Sequence, residues 1–352
     1  MTDWPLVTVI TPTFNQAAFI ERTLASIRAQ SYPEIEHIVI DAGSTDGTLD
    51  ILRREAAAGR LSFVSEPDRG MYDGINKGQA RARGEILAYL NSDDCWFPWS
   101  VEAAVETFQA HPDAELAFGD GIKVTEENGF QRLRLFAPFD RISLANYESL
   151  CQPAVFWRRR LYERMGGFDA EMRYAADLDY WLRAAAAGAA IVHIPEVIAI
   201  ERMHAAAFTA AHHDAIVVEI EAMRARHTGD QGGLENVRRA SARVVRWQRW
   251  LWLRFMIAFA FRPVGRPWRR FIEHGGLAVR GKQIASGVRR FTDERMRNAV
   301  KSRLAYEIVG VDPGALPRPR RGRILLQRVT LAARALPFLL PMWLNVRLHE
   351  RR

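Results

Sequence analysis

Several absences restrict what this 352-residue chain can be. It has only two cysteines, Cys95 and Cys151, so neither a disulfide framework nor a cysteine-rich zinc site is predicted, and the pair suits a reducing cytoplasm. No uninterrupted run of about 18 apolar residues occurs, so no transmembrane helix is predicted. The N-terminus lacks a basic segment followed by an apolar stretch, so no signal peptide is expected. The glycines form neither GxGxxG nor GxxxxGK[ST], which argues against a dinucleotide-binding domain and a P-loop NTPase.

Charge is distributed unevenly along the chain. Residues 1–200 carry 19 Lys and Arg against 29 Asp and Glu, whereas residues 201–352 carry 30 against 12. An acidic half joined to a strongly basic half indicates two different tasks. We expect the basic half to meet the phosphates of a membrane surface or of a nucleic acid.

The first hundred residues alternate between short apolar runs and segments with helical periodicity. The runs at 6–10, 35–40, 61–64 and 85–90 are rich in β-branched residues and are predicted to be buried strands. Predicted helices follow at 19–30, 48–58 and 71–83. This alternation predicts a mostly parallel sheet flanked by helices. Polar side chains at the strand ends would then share one edge of the sheet, which is where open α/β sheets bind ligands.

The most informative strand end carries Asp93 and Asp94, directly after the run at 85–90. Two carboxylates at such a point suit Mg²⁺ or Mn²⁺, whose remaining ligands are usually phosphate and water. The alternative is a solvated turn or a helix N-cap, because Asp favours both.

The second hundred residues add further elements. Residues 115–124 and 131–136 are predicted to form a hairpin. An Ala-rich helix at 175–187 begins with Asp177 and Asp179, for which the alternative to a catalytic role is stabilisation of the helix N-terminus. Two strands, 191–194 and 197–200, are expected on either side of Pro195.

Six motifs in this order resemble family 2 glycosyltransferases: VTVITPTFNQ, EHIVIDAGSTDGT, SEPDRGMYDGINKG, LAYLNSDD, GGFD and AADLDYWLR. These are inverting enzymes with the nucleotide-diphospho-sugar fold called GT-A, and this subtype often builds bacterial surface polysaccharides. The resemblance covers about residues 5–205. It implies a GT-A catalytic domain at 1–205, followed by a helical, basic, Trp-rich region at 206–352.

The resemblance also implies roles for individual residues. Contacts with the nucleotide-sugar fall on positions that match the family's donor site: Thr11, Pro12, Asn15, Asp41, Asp68, Arg69, Asn76 and Asp93. Asp41 matches the carboxylate that accepts a hydrogen bond from the base, usually uracil. Asp177 matches the catalytic base, with Asp179 as the alternative.

The metal motif of the family, commonly Asp-x-Asp, begins here with Asn91. The metal ligands would therefore be Asp93 and Asp94, and which of them binds the ion directly stays open. His204 is a further candidate for the metal or the diphosphate, because some GT-A enzymes use a late histidine there; the alternative is a packing role. We expect Trp181 and Cys95 to be packing residues, and the run at 158–160 to be solvated arginines.

The basic region at 206–352 contains two apolar stretches. In residues 241–261 four arginines recur on one side of a predicted helix, among tryptophans and phenylalanines. Such a mixture suits the headgroup boundary of an anionic bilayer. A second stretch at 335–344 contains two prolines and is a poor spanning helix. The alternatives are core or homo-oligomer-interface helices. Nucleic-acid binding is not expected, because no known module signature occurs.

Together these observations predict an inverting glycosyltransferase that uses Mn²⁺ or Mg²⁺. The donor would be a nucleotide-diphosphate sugar, a UDP-sugar foremost, and the acceptor a hydroxyl of a lipid-linked or polysaccharide glycan. The enzyme would be cytoplasmic and peripheral on the inner face of the membrane. The alternative is a catalytically inactive sugar-nucleotide-binding protein that serves as a membrane-tethered assembly partner. A nucleotidyltransferase is disfavoured because TPTFNQ lacks a Gly-rich, basic loop.

Overall fold

A mixed sheet with helices packed around it dominates the structure. The computed structural model describes residues 4–125, 130–134, 136, 139–146, 150–204 and 212–228. In that part of the chain nine strands join one sheet. They are β1 (Val7–Thr13), β2 (Ile35–Asp41), β3 (Ser62–Ser65), β4 (Ile86–Tyr89), β5 (Cys95–Trp96), β6 (Leu116–Thr125), β7 (Phe130–Arg134), β8 (Val155–Arg158) and β9 (Ile191–Met203).

The two halves of the sheet differ in strand direction. The order is β3-β2-β1-β4-β8-β6-β9-β5, with β7 pairing to β6. Strands β1 to β4 are parallel to one another, whereas β8 is antiparallel to both β4 and β6. The alternation of strand and helix predicted for the first hundred residues is therefore confirmed, and it brings the polar ends of β1, β2, β3 and β4 to one edge.

Eight described helices accompany the sheet. They are α1 (Ile20–Arg28), α2 (Thr48–Ala57), α3 (Met71–Arg81), α4 (Ser100–Ala110), α5 (Arg141–Asn146), α6 (Arg159–Met165), α7 (Ala176–Ala186) and α8 (His213–Thr228). None of these described helices combines the length and the apolar character that a membrane span requires. The predicted apolar stretches at 241–261 and 335–344 lie outside the described residues.

Two prolines lie inside strands, although the sequence predicts that the first strand ends before Pro12 and that two separate strands flank Pro195. Pro12 lies in β1. Beyond Ile10, β1 pairs only with β2 and no longer with β4, so the missing N–H of Pro12 is tolerated on the β4 side. The two strands predicted around Pro195 are one strand, β9. A bulge opposite Asp120 in β6 absorbs the proline without interrupting the sheet.

The prediction of solvated arginines at 158–160 is wrong for Arg158 and Arg159, which are half-buried, whereas Arg160 is exposed as expected. The Arg158 guanidinium donates to the carbonyls of Ala114 and Phe108, each at 3.1 Å. Arg159 and Arg160 likewise donate to backbone carbonyls. The three side chains therefore tie the end of β8 and the start of α6 to neighbouring segments. Trp181 and Cys95 are buried in the core, as expected.

The last described helix, α8, packs against the same core. Met223 is fully buried there and Ile220 packs on its edge. The helix follows the boundary predicted at residue 205, yet its apolar contacts are with the preceding 200 residues. A truncated chain that is meant to keep this core must therefore include residues up to 228.

Candidate active site

Asp41 organises the loop that follows β2. It is fully buried, and its Oδ2 accepts hydrogen bonds from the backbone N–H groups of Gly43 and Ser44 and from the Ser65 hydroxyl. Its Oδ1 accepts a 2.5 Å hydrogen bond from the Ser44 hydroxyl. Both carboxylate oxygens are thus engaged by the protein. The resemblance implies that Asp41 binds the nucleotide base, and that role stays a prediction; in the structure Asp41 holds this loop.

The end of β1 meets the same loop. Asn15 has a left-handed backbone (φ 52°), and its side-chain oxygen accepts the Thr45 N–H at 2.9 Å. Ser44 in turn accepts the Asn15 N–H at 2.8 Å. Phe14, just before it, is 55% exposed. A large exposed aromatic ring beside an ordered polar loop is available to stack on a planar base.

Thr11 and Pro12 lie deeper in the same strand. The Thr11 hydroxyl contacts His37 Nε2 at 3.0 Å, and burial lowers the pKa of His37 to about 3, so this imidazole is neutral at physiological pH. Pro12 lies against α3, where a Cβ added to Gly74 would come within 3.9 Å of the proline ring. Thr11 and Pro12 therefore lie in the buried part of this sheet edge rather than at its exposed surface.

The SEPDRG loop precedes α3. Burial raises the pKa of Asp68, whose Oδ1 accepts the Gly70 N–H at 2.9 Å. Arg69 is exposed and pairs with Asp73 at 3.0 Å and with Glu171 at 3.2 Å. Its guanidinium is therefore paired with two carboxylates at the surface of the loop.

Asn76, a predicted nucleotide contact, binds protein backbone through both ends of its amide. Its nitrogen donates to the Phe168 carbonyl at 2.8 Å, and its oxygen accepts the Phe168 N–H at 2.9 Å. The amide thereby joins α3 to the GGFD turn. A role for Asn76 with the nucleotide stays a prediction.

The turn after β4 presents its two carboxylates in different directions. Asp94 is buried and its Oδ1 accepts the Arg202 N–H at 2.9 Å. Burial, reinforced by the Asp93 and Glu201 charges, raises the pKa of Asp94 well above its usual range. Asp93 is more open: its side chain is 21% exposed, and its Oδ2 lies 3.2 Å from Nε2 of His204.

His204 is held beside Asp93 by packing. Its ring stacks on Phe19 with 4.0 Å between the ring centroids, and the Arg202 guanidinium covers the same phenyl ring. The Nδ1 atom of His204 and the Oδ1 atom of Asn91 are buried and have no hydrogen-bond partner among the described residues. The turn therefore offers polar atoms that the described protein groups leave unsatisfied.

The side chains of Asp93 and His204 fit a divalent cation. Carboxylate oxygen and imidazole nitrogen suit Mn²⁺, and Asp93 and His204 are close enough to share one ion. Within the described part of the chain, no group of three or more His, Cys, Asp or Glu side chains is arranged to hold a metal. The protein would therefore supply few ligands, as is usual for Mg²⁺-type sites in which substrate phosphates complete the shell.

Asp177 lies in the first turn of α7 and is partly buried. Its Oδ1 accepts hydrogen bonds from the Leu178 N–H at 2.8 Å and from the Tyr72 hydroxyl at 3.2 Å. Burial raises the pKa of Asp177 and outweighs these two hydrogen bonds, which favour the ionised form. A carboxylate with a raised pKa is suited to accept a proton near neutral pH.

Asp179, the alternative base, already has ionic and hydrogen-bond partners within the protein. Its carboxylate accepts from Arg183 at 2.7 Å and contacts His227 Nε2 at 2.8 Å. Although burial acts in the opposite direction, the hydrogen bonds from His227 and Arg183 lower the pKa of Asp179. A carboxylate paired in this way is a poor proton acceptor.

Tyr89, the last residue of β4, links the Asp177 region to the aspartate turn. Burial raises the pKa of its hydroxyl well above the usual value, and the carboxylates of Asp177 and Asp94 raise it further. The Tyr89 ring packs against Phe168, which also packs against Tyr72, the residue whose hydroxyl contacts Asp177. These contacts connect Asp177 to the end of β4, after which the aspartate turn begins.

Three contributors to this region were not predicted. Tyr72 lies inside the SEPDRGMYDGINKG motif, and Phe14 inside TPTFNQ, so the motifs themselves contained a signal for both. Glu219, on α8, accepts the backbone N–H groups of the turn that leads into α7. It follows the last motif, and no sequence pattern marks it.

The chain is similar to known glycosyltransferases. Residues 8–166 match the family model described as Glycosyl transferase family 2. An uncharacterised glycosyltransferase of Mycobacterium tuberculosis is 38% identical over 188 residues, which cover 53% of this chain and 71% of that protein. A PGL/p-HBAD biosynthesis glycosyltransferase of Mycobacterium bovis is 33% identical over 182 residues, which cover 51% of this chain and 69% of that protein.

Among solved structures, residues 1–349 of S. aureus TarS in complex with UDP-GlcNAc superpose with a TM-score of 0.51. The two chains are 17% identical, and the match covers 82% of this chain and 80% of that chain. At this identity the likeness establishes a shared fold.

Proposed function

The chain belongs to glycosyl transferase family 2 and is a glycosyltransferase with the GT-A fold, and we propose that it transfers a sugar with inversion from a nucleoside-diphosphate donor to an acceptor hydroxyl. One observation carries the proposal. Asp177 connects to the end of β4 through Tyr72, Phe168 and Tyr89, and the Asp93 and His204 pair lies at the turn that follows β4. A proton acceptor and a separate site for the leaving diphosphate are the two parts that such a transfer requires.

In the proposed reaction Asp177 is the base. The acceptor oxygen forms a bond to the anomeric carbon while the bond from that carbon to the diphosphate oxygen breaks. The hydroxyl proton passes to the Asp177 carboxylate, through Oδ2, because Oδ1 already accepts from Tyr72 and Leu178. A single displacement of this kind inverts the anomeric centre.

Asp93 and His204 are the proposed metal ligands at the diphosphate. A bound Mn²⁺ or Mg²⁺ would stabilise the negative charge that develops on the departing diphosphate. Of the two aspartates, Asp93 is the one assigned this role, because the Asp94 carboxylate is buried and accepts the Arg202 N–H. Asp94 would shape the turn that presents Asp93.

The remaining predicted contacts belong to the nucleotide. Asp41 and Asn15 hold the loop on which a base would lie, and the exposed ring of Phe14 would cover it. Arg69 is exposed and pairs with Glu171, a surface contact that it would exchange for one with the diphosphate. We assign the remaining donor-site positions to the walls of this pocket: Thr11, Pro12, Asp68 and Asn76. The UDP-GlcNAc complex of TarS, which shares the fold, makes UDP-sugars the first donors to test.

The acceptor is proposed to be a lipid-linked or polysaccharide glycan at the inner face of the membrane. The Mycobacterium bovis relative, which is named as a PGL/p-HBAD biosynthesis glycosyltransferase, supports the acceptor class. The excess of arginine after residue 200 supports attachment to an anionic surface. Liposome flotation of the 352-residue chain against a version ending at 228 tests it. Equal flotation of the two would refute the membrane assignment.

The reaction is tested with a donor panel of UDP-glucose, UDP-galactose, UDP-N-acetylglucosamine and GDP-mannose, with and without Mn²⁺. Binding to the folded chain raises its melting temperature, and turnover releases the nucleoside diphosphate. We expect Asp177→Asn to keep the thermal shift and to lose roughly 10²–10⁴-fold in turnover.

The matched control for this substitution is Asp113→Asn, at an exposed position, which should leave turnover unchanged. Turnover at the parent rate in Asp177→Asn would remove the base assignment. Binding without turnover of any donor by the parent chain would favour the inactive assembly partner instead.

A further inference from the structure

Helix α8 reaches back to the turn that leads into the helix carrying Asp177. The Glu219 carboxylate accepts hydrogen bonds from three consecutive backbone N–H groups. Oε1 accepts those of Tyr174 and Ala175, each at 2.7 Å, and Oε2 accepts that of Arg173 at 3.0 Å. Hydrogen bonds from N–H groups to an ionised carboxylate are among the stronger ones in proteins. One carboxylate thus fixes the backbone of three residues in a row.

The turn at 173–175 determines where α7 begins. The helix starts at Ala176, and its N-cap residue, Ala175, has no side chain that could cap it. The first N–H groups of a helix lack partners within the helix, and a nearby anion is favourable there. Glu219 supplies that anion from another helix. Asp177 lies in the first turn of α7, so its position depends on this backbone.

The same turn is held from the opposite side by α3. The Tyr72 hydroxyl lies 3.0 Å from the Tyr174 carbonyl and 3.2 Å from Asp177 Oδ1. The backbone at 174 is therefore held between Tyr72 and Glu219. A shift of this backbone would displace the Asp177 carboxylate from its hydrogen bond with Tyr72.

Helix α8 is itself anchored on one face. Glu219, Met223 and His227 are spaced four residues apart and so lie on one side of the helix. Met223 is fully buried, and His227 contacts Asp179 of α7 at 2.8 Å. The helix therefore presents Glu219 to the turn from a rigid support.

We propose that Glu219 is a positioning residue of the transfer reaction, which fixes the Asp177 carboxylate by binding the three N–H groups of residues 173–175. The inference rests on the proposed function, because it needs Asp177 as the base. A side chain that only stabilises the fold would change the amount of folded protein but leave the kinetic constants of the folded fraction unaltered.

The test compares Glu219→Ala and Glu219→Gln with Glu221→Ala, an exposed glutamate on the same helix, in the 352-residue chain. The substrate is the donor of the above panel that the parent turns over. For Glu219→Ala we expect kcat to fall on the order of 10²-fold, the loss that a displacement of about 1 Å can cause. The donor KM should stay within about twofold. Glu219→Gln should lose roughly tenfold, because the amide keeps one acceptor oxygen.

The pH profile separates positioning from loss of stability. The titratable groups that face Asp177 are Tyr72 from α3, Tyr89 from β4 and Glu219 from α8. Removal of the Glu219 charge should move the acid limb of kcat/KM to lower pH in Glu219→Gln, which is close to isosteric and should fold. Glu221→Ala should leave both kcat and the limb unchanged.

Two different failures can be told apart. If Glu219→Ala and Glu219→Gln keep the parent kcat and acid limb while Asp177→Asn is inactive, the positioning role is refuted and the proposed function stands. If Asp177→Asn is active, the base assignment itself fails. Should Glu219→Ala not fold, Glu219→Gln decides alone: a parent-like kcat and limb in that variant refute the inference.

Discussion

Nε2 of His204 lies 3.2 Å from Oδ2 of Asp93, although 111 positions separate the two residues. The contact exists because β9 returns beside the turn that follows β4: β5 pairs with β9 directly after the aspartates, and the Arg202 N–H binds Asp94. His204 then follows the last residue of β9. The sheet therefore places an imidazole nitrogen beside a carboxylate oxygen that lies far away in sequence.

If Asp93 and His204 bind one cation, substitution of either residue should raise the metal concentration that turnover requires. We expect Asp93→Asn and His204→Gln to increase the Mn²⁺ concentration for half-maximal turnover by at least about 10–100-fold, the range for groups that merely support a metal ligand. Chelation with EDTA should abolish turnover of the parent, and added Mn²⁺ should restore it. Asp113→Asn is the charge-matched control. Full activity of the parent in EDTA would exclude the metal.

The acid limb of the pH profile should report Asp177. Burial raises the pKa of this carboxyl, and the base must be ionised, so kcat/KM should fall as pH drops through a value above the ordinary 3.8 of an aspartate. The Tyr72 hydroxyl favours the ionised form, so Tyr72→Phe should move the limb to higher pH. The control is Tyr162→Phe on α6, which should not move it. If the acid limb of Tyr72→Phe lies at the same pH as that of the parent, the hydrogen bond between Tyr72 and Asp177 is contradicted.

Much of the fold was predictable because it rests on local patterns. The apolar runs at 35–40 and 61–64 and the hairpin around β6 and β7 were recognised from periodicity and turn residues. The extension of β1 through Pro12 and the continuity of β9 through Pro195 were not. In both cases the neighbouring strand determines whether a missing N–H is tolerated, and that information is not local.

From the sequence, most candidate site residues could be named only where they lie inside a recognised motif. Asp93, Asp177 and Asn76 are predicted site residues because they stand in recognisable stretches, yet the motif gives no sign that both ends of the Asn76 amide bind Phe168. Glu219 is not predicted from the sequence. Its contact with the turn at 173–175 comes from the packing of α8 over that turn, about 45 residues away in sequence, and no pattern encodes it.

Asp179 should contribute to stability rather than to chemistry. Its pKa is lowered in the folded chain, because His227 and Arg183 outweigh the effect of burial. The stabilisation is therefore fully present above the unfolded pKa, near 3.8, and is lost as pH falls through the lower folded value. Asp179→Asn should lower the free energy of unfolding by about 2–3 kcal/mol at pH 7, from the weakened charged hydrogen bonds.

The measurement for Asp179 is urea unfolding at pH 7 and at pH 3, beside donor turnover. The difference between Asp179→Asn and the parent should shrink at pH 3, while kcat at pH 7 stays within about tenfold of the parent. Asp113→Asn should show no difference at either pH. A loss of turnover as large as that of Asp177→Asn would instead identify Asp179 as the base.

The Asn76 and Phe168 contact makes a prediction about Gly167. A Cβ at position 167 would lie 2.2 Å from Asn76 Oδ1, so Gly167→Ala should push the amide away from the Phe168 backbone and destabilise the fold by about 1–3 kcal/mol. Asn76→Ala loses both hydrogen bonds and should be destabilised by a similar amount.

Because Asn76→Ala also removes the atom that Gly167→Ala would strike, the double variant should be more stable than the sum of the two single changes predicts, by about 0.5–3 kcal/mol. Urea unfolding of the four proteins measures this coupling, and Gly167→Ala combined with Asp113→Ala, which is distant from it in sequence, should be additive. Additive effects of Gly167→Ala and Asn76→Ala would mean that the amide does not occupy this position. In that case the nucleotide role predicted for Asn76 from its motif would again be the leading explanation of the residue.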